Sequence, residues 1–385
     1  MKAQPLLNGY GAGAAFAYRD GRVVGVTGFL QDVARTAAML PERRHVLNLC
    51  ADRYRFAVAL GAALVRGQVS LLPPNQTPDL IERLAFRYPG LYCLGDQAAP
   101  CGPLDTVVFP EQADEERAAV PVPVLPETQA GVIVFTSGST GEPVSHQKSW
   151  GSLVRSAQAE IERLGVSGLS LLGTVPPQHV YGLESTVMMA MHGGCALHAG
   201  RPFYPADIRA ALEALPRPRG LVTTPVHLRV LLAETEPLPP ADFLLSATAP
   251  LSPQLAAAAE ARFAAPLYEI YGCTEAGQIA SRRTVETDEW RALRGLTLRT
   301  DDSGTWVRGG HVEREVQLGD VIELRGRERF LLHGRSADLV NVAGKRTSLA
   351  HLNYHLNSIE GVRDTARTIE AAGGQALALP ADVTD

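Results

Sequence analysis

At 385 residues the chain is long enough for a large core and for two or three domains or subdomains. Its composition, 45% hydrophobic and 20% charged, is that of an ordinary globular protein, and a net charge of −5 without a dense Lys/Arg block gives no case for nucleic-acid binding. The longest apolar run, residues 56–65, is half a membrane span, and Met1-Lys2-Ala3-Gln4-Pro5 lacks a signal-peptide core. Five scattered cysteines without a C-x-x-C pair suit thiols in a reducing cytoplasm.

Residues 1–20 are Gly/Ala-rich, and Gly9, Gly11 and Gly13 crowd together without the preceding strand that a dinucleotide fingerprint needs. Apolar spacing then predicts a helix over 27–40, a strand over 45–50, a helix over 53–66 and a strand over 69–72 ended by Pro73-Pro74. A helix opens at Pro78 and a strand follows at 91–94, while residues 95–128 read as a connection with short strands. The strand-like run 131–135 precedes a helix over 150–164, a strand over 170–174 and a helix over 183–192. Strands at 220–225 and 243–246 lead into helices at 226–233 and 253–263. This rhythm predicts an α/β body with a parallel sheet covered on both faces. After Glu286 the pattern turns β-rich, with turn signals at Asp301-Asp302-Ser303-Gly304 and Gly309-Gly310, which predicts a small β-barrel-like subdomain over about 286–334. A helix is expected over 348–359. The tail 369–385 is faintly similar to a βα segment of short-chain dehydrogenases, although the chain lacks their Gly-rich entry and Tyr-x-x-x-Lys.

Three stretches could carry chemistry. In Thr136-Ser137-Gly138-Ser139-Thr140-Gly141-Glu142-Pro143, hydroxyls and glycines follow a strand, and such a loop can wrap a polyphosphate with closely approaching backbone N–H groups. It is not a Walker loop, and a Ser/Gly-rich surface turn would look similar. In Tyr271-Gly272-Cys273-Thr274-Glu275, a Tyr can stack on a purine, a Thr can donate to phosphate and a Glu can hold Mg²⁺; a solvated turn is the plainer alternative. Asp320, after Gly319, has the two acceptor oxygens that suit a ribose diol, though Gly-Asp is also a common hairpin turn.

These motifs, with Gly334-Arg335 leading to Gly344-Lys345-Arg346, resemble in type and order those of the adenylate-forming superfamily of acyl- and aryl-CoA synthetases, adenylation domains and luciferases. The resemblance covers roughly residues 20–360. It implies an N-terminal AMP-binding domain over 1–335 and the start of a small, incomplete C-terminal domain over 336–385. It also implies phosphate contacts from Thr136, Ser137, Gly138, Ser139, Thr140 and Gly141, adenine stacking by Tyr271 beside Gly272, an α-phosphate contact from Thr274 and metal binding by Glu275. Ribose falls to Asp320 and Arg335, and the pocket turn to Ala249 and Pro250, after Thr248 where Gly is frequent. In Pro176-Pro177-Gln178-His179-Val180-Tyr181-Gly182-Leu183, His179 resembles the family's carboxylate-pocket histidine; alone it reads equally as a structural residue.

The chain departs from the pattern in three places. Val144 follows Pro143 where a lysine is usual, so His146 or Lys148 is expected to supply the cation, with Lys148 on the loop side near the β/γ-phosphates. The hinge has Ala337, with Asp338 next, where the family has Asp or Lys. Lys345 is the last lysine, whereas the family's catalytic lysine lies tens of residues further on. The resemblance implies ATP- and Mg²⁺-dependent activation of a carboxylic acid to acyl-AMP, then transfer to the thiol of CoA or of phosphopantetheine on an acyl carrier protein, in the cytoplasm. The phosphate loop's early position and its Pro-Val-Ser-His-Gln-Lys ending are most similar to the short AMP-ligases of aryl-polyene and xanthomonadin pigment clusters, which implies an aromatic acid. The alternative is a non-catalytic nucleotide- or acyl-binding relic.

Overall fold

The computed structural model describes residues 2–11, 13–96, 101–109, 120–137, 143–335, 339–342 and 345–348. Helices form where an apolar stripe meets an end signal. Asp52 caps Arg53–Val65 by accepting from the Arg55 amide, Ser149 caps Trp150–Leu164 through Ser152, and Ser252 caps Pro253–Phe263 through Leu255. The helix predicted over 183–192 is built differently. It starts as a helical turn at Val180–Gly182, widens into a π-helix over Leu183–Met188 and returns to α over Met189–Gly193. A π-turn re-aims its side chains, and here it carries the buried Glu184 and Ser185.

Two large sheets organise the chain. The first runs in the order Pro143–Ser149, Ala130–Ser137, Val69–Leu72, His45–Asn48, Tyr92–Gly95, Thr106–Val108. It is parallel except at Pro143–Ser149, which folds back antiparallel on Ala130–Ser137. The second has a parallel centre built from Ala196–His198, Ser170–Gly173, Arg219–Thr223, Phe243–Ser246 and Leu267–Cys273; the sequence predicts the strands at Ser170–Gly173, Arg219–Thr223 and Phe243–Ser246 but not Ala196–His198. Beyond Ala196–His198 the N-terminal strands Ala15–Arg19 and Arg22–Gly25 complete one flank. At the other flank Leu267–Cys273 turns back as Gly277–Arg282, followed across the sheet by Trp290–Ala292, Arg329–Arg335 and Asp320–Leu324.

The β-rich stretch after Glu286 is therefore partly a prolongation of this second sheet. Leu296–Asp301, Gly304–Gly309 and Val312–Leu318 form a separate three-stranded meander. A short hairpin, Leu339–Val342 with Lys345–Ser348, follows. The expected helix over 348–359 and the tail 369–385 lie outside the described residues, apart from Ser348 in that hairpin.

Arg53–Val65 is buried along almost its whole length, so it is apolar on all sides. At its start, the fully buried Arg53 guanidinium donates to the carbonyls of Gly173, Val175, His198 and Gly200 at 2.6–3.3 Å. Those carbonyls replace its lost water, and burial pushes its pKa down to about 10. Cys93 and Cys101 are joined as a disulfide in the cluster with Leu80, Ile81 and Leu84, where the sequence reading expected free thiols. Parallel pairing sets Cys93 beside Thr106, and the Cys101–Leu104 bridge turns Cys101 toward that strand, so the two cysteines, eight residues apart, meet. Cys50, Cys195 and Cys273 are free.

Candidate active site

The first half of the site is the hairpin Ala130–Ser137/Pro143–Ser149. Its register sets Thr136 opposite Val144 and His146 opposite Val134. Because strand side chains alternate faces, Thr136, His146 and Lys148 share one face, with Thr136 and His146 as diagonal neighbours. His146 Nε2 lies 2.9 Å from Thr136 Oγ1. Ser137 ends the first strand and pairs with Pro143 through the backbone. Gly138, Ser139, Thr140 and Gly141 lie outside the described residues.

The second half is the hairpin Leu267–Cys273/Gly277–Arg282. The structure places Tyr271, Gly272 and Cys273 inside the strand, with Thr274 and Glu275 in the turn. A Cβ on Gly272 would meet the Gly277 carbonyl oxygen at 2.4 Å, so the close pairing demands glycine. Gly277 sits at φ 80° and turns the chain back. Cys273 Sγ accepts from the Ala276 amide across the turn at 3.5 Å. Glu275 thereby stands half-buried with Oε1 3.9 Å from His146 Nε2. The two hairpins bring Thr136, His146 and Glu275 together. Burial lowers the pKa of His146, Glu275 raises it and Lys148 lowers it, with a net downward shift.

On the side toward Trp290 and Phe330, the Tyr271 ring packs against both and keeps only 8% of its surface exposed. Its hydroxyl donates to Asp320 Oδ2 at 2.8 Å. So packed, the ring is a floor rather than an open stacking platform. Asp320 pairs across strands with Arg335, whose side chain is not among those described.

Lys148 does not sit on the loop side near the β/γ-phosphates, as the sequence reading expected. It is 6% exposed and lies beneath the second hairpin's turn, with Nζ 3.5 Å from the Glu275 carbonyl oxygen. The reason is its register: it pairs with Val132, on the same face as Thr136 and His146 but four residues further from the loop end of the hairpin. Nearby, Glu184 accepts from the Gln278 amide at 3.2 Å and from Ser156 Oγ at 3.4 Å. Burial raises the Glu184 pKa and Lys148 draws it back. Gln278 Nε2 donates to Ser185 Oγ, which donates to Glu160 Oε1, both at 2.8 Å. Sequence reasoning missed this layer; its one signal is Glu184 in the otherwise weakly polar run Leu183-Glu184-Ser185-Thr186-Val187-Met188.

His179 is exposed and its Nδ1 accepts from the Tyr181 amide at 3.2 Å, capping the helical turn; among the described residues no hydrogen bond joins it to the Thr136–His146–Glu275 group. Ala249, half-buried, and Pro250, exposed, follow Thr248, which holds φ 80°. The Leu251 amide donates to Glu269 Oε1 at 3.2 Å and fixes the end of that turn. The hinge residues Ala337 and Asp338 lie outside the described residues.

Among the described residues no three His, Cys, Asp or Glu side chains converge as a metal cage. One carboxylate beside a hydroxyl is the donor set for a hard cation that arrives on phosphate oxygens and keeps water, which fits Mg²⁺.

Hairpins from two large sheets thus converge on one polar group. The chain superimposes on O-succinylbenzoate coenzyme A synthetase (MenE) from Bacillus subtilis in complex with AMP, with a TM-score of 0.76 over 93% of this chain and 84% of that one, at 17% identity. It superimposes likewise on ATP-bound MatB from Rhodopseudomonas palustris, with a TM-score of 0.73 over 90% and 80%, at 16% identity. The chain belongs to the AMP-binding enzyme family, whose profile matches residues 91–300. In sequence it is 28% identical over 240 residues to a 4-coumarate–CoA ligase of Rhodobacter capsulatus, a match spanning 62% of this chain and 60% of that protein. A 4-coumarate–CoA ligase of Halorhodospira halophila matches at 28% over 241 residues, 60% of this chain and 58% of that protein.

Proposed function

We propose that the chain activates a carboxylic acid with ATP and passes the acyl group to a thiol. A carboxylate oxygen attacks the α-phosphorus, the bond to the bridging oxygen breaks, and pyrophosphate leaves. The thiol sulfur then attacks the acyl carbon, AMP leaves and the thiol gives up its proton. Residues 1–335 form the AMP-binding domain and 336–385 begin a second. The observation that carries this reading is the Glu275 carboxylate set beside His146 and Thr136 where the two hairpins converge.

Thr136, with the loop Ser137 to Gly141, binds the phosphates, and Thr274 contacts the α-phosphate. Glu275 would hold Mg²⁺, which would supply charge neutralisation on the phosphates. Asp320, oriented by the Tyr271 hydroxyl and aided by Arg335, takes the ribose, while Tyr271 and Gly272 form the floor under adenine. His146, rather than Lys148, is the basic side chain nearest the phosphate side. Ala249, Pro250 and His179 line the acid's side. The relatives' names support CoA as acceptor and an aromatic acid as substrate; the resemblance to pigment-cluster ligases supports a carrier protein in place of CoA. We place the reaction in the cytoplasm, where ATP and CoA are supplied; no helix among the described residues is long and apolar enough to cross a membrane.

Pyrophosphate exchange over a panel of aryl and fatty acids tests the reading. One acid should give exchange at a rate that Glu275→Ala cuts by ~10²–10³, the scale of one preorganised electrostatic group, with the far-ultraviolet spectrum unchanged. Undiminished exchange in that variant at saturating acid removes Glu275 from the site.

A further inference from the structure

Lys148 and Glu184 are both almost fully buried, at 6% and 1% exposure, and come from different elements, an edge strand of the first sheet and the π-helix. They converge on the same backbone. A Cβ placed on Gly277 would lie 2.7 Å from Glu184 Oε1 and 3.3 Å from Lys148 Nζ. The ammonium faces the carbonyl oxygen of Glu275, and the carboxylate accepts from the Gln278 amide. Polar atoms on either side of the Glu275–Gln278 turn are thus held from beneath by opposite charges. Burying two charges is costly unless each finds partners, and these find theirs in one turn's backbone.

We propose that Lys148 and Glu184 are positioning residues that fix the Thr274–Gly277 turn from below and so set the Glu275 carboxylate beside His146 and Thr136. The clamp works because Gly277 has no side chain to separate the two heads. His311, buried nearby, is neutral at ordinary pH because burial takes its pKa down to about 4, so it adds no competing cation. The Glu184 side is braced in turn by Ser156 Oγ, and Gln278 by Ser185. The inference rests on the adenylation reading only in naming Glu275 as the group that must be held.

The test uses the ligand-free protein first. Removing one partner strands a buried charge, so Lys148→Met alone should lower the melting temperature, and Lys148→Met with Glu184→Gln should recover most of it. In the double variant, amide hydrogen exchange in a peptide spanning 272–279 should accelerate by about tenfold while the central strand Phe243–Ser246 stays protected. Mn²⁺·ATP binding, followed by electron paramagnetic resonance, should weaken by a similar factor. Unchanged exchange over 272–279 in a double variant of wild-type melting temperature overturns the proposal, whatever ATP does. Faster exchange with unchanged Mn²⁺·ATP affinity upholds the clamp and instead removes Glu275 from the metal site. Should the double variant not fold, Glu184→Gln alone, close to isosteric, reads the same peptide with the same two outcomes.

Discussion

Thr248 holds the left-handed conformation at φ 80°, where a β-branched side chain is strained. It follows the buried strand Phe243–Ser246 and precedes a turn held by Glu269 through the Leu251 amide, so the backbone there has little room to relax. Such strain costs ~1–3 kcal/mol, while a glycine gives back ~0.4–1 kcal/mol in chain entropy. Thr248→Gly should therefore stabilise the protein by about 1 kcal/mol in urea unfolding; a loss of stability would mean that the threonine side chain makes a compensating contact. The departure from the family's usual glycine is visible in the sequence. Its torsion is not, because residue type sets only a preference and the flanking strand and turn set the angle.

The π-helix Leu183–Met188 shows what an element can hide from its own sequence. Periodicity predicts a helix over 183–192 and says nothing of the extra residue in its turn. Yet that turn sends Ser185 to Glu160 and Glu184 toward Lys148. Glu160 is fully buried, and desolvation raises its pKa from 4.5 to about 8, against the opposing pull of Ser185 and Gln278; Glu184 adds to the rise. The other titratable groups coupled to it, Tyr181 and Cys195, are themselves pushed upward by burial and stay neutral. Between pH 4.5 and 8 the native state keeps a proton that the unfolded chain has released, so stability falls as pH rises, by up to ~1.4 kcal/mol per unit, and levels off above 8. Glu160→Gln should flatten the decline of melting temperature between pH 5 and 8 and lift the curve most at its alkaline end. Superimposable curves would mean that Glu160 is not carrying that proton.

At the scale of the molecule, the site exists because hairpins from two sheets meet, and Asp320 comes from the far end of the second sheet to complete it. If one Asp320 oxygen stays with Tyr271, the other is available to a ribose hydroxyl. Asp320→Ala should weaken ATP binding by ~10–100-fold, the value of a hydrogen bond to a charged group, and hardly alter 2′,3′-dideoxy-ATP. Equal losses for both would assign Asp320 to holding Tyr271. Most of the βα units and their order were legible from spacing and punctuation. The inward turn of Lys148 was not, since a lysine five residues past Pro143 reads as a free cation until its register with Val132 is known. The disulfide of Cys93 and Cys101 was equally hidden, because it depends on a fold-back that no spacing rule announces.

The N-terminal strand Ala15–Arg19 closes a flank of the second sheet by pairing Ala17 with Leu197, about 180 residues later in the chain. On the ribosome that strand emerges well before its neighbour. At ~5–20 residues per second the wait is roughly 10–40 s, during which Phe16 and Ala17, both wholly buried at the end, have no native sheet to enter. The Ala15–Gly25 hairpin is marginal by itself, and its docking, and with it the seal over Phe29 and Tyr54, waits for Ala196–His198.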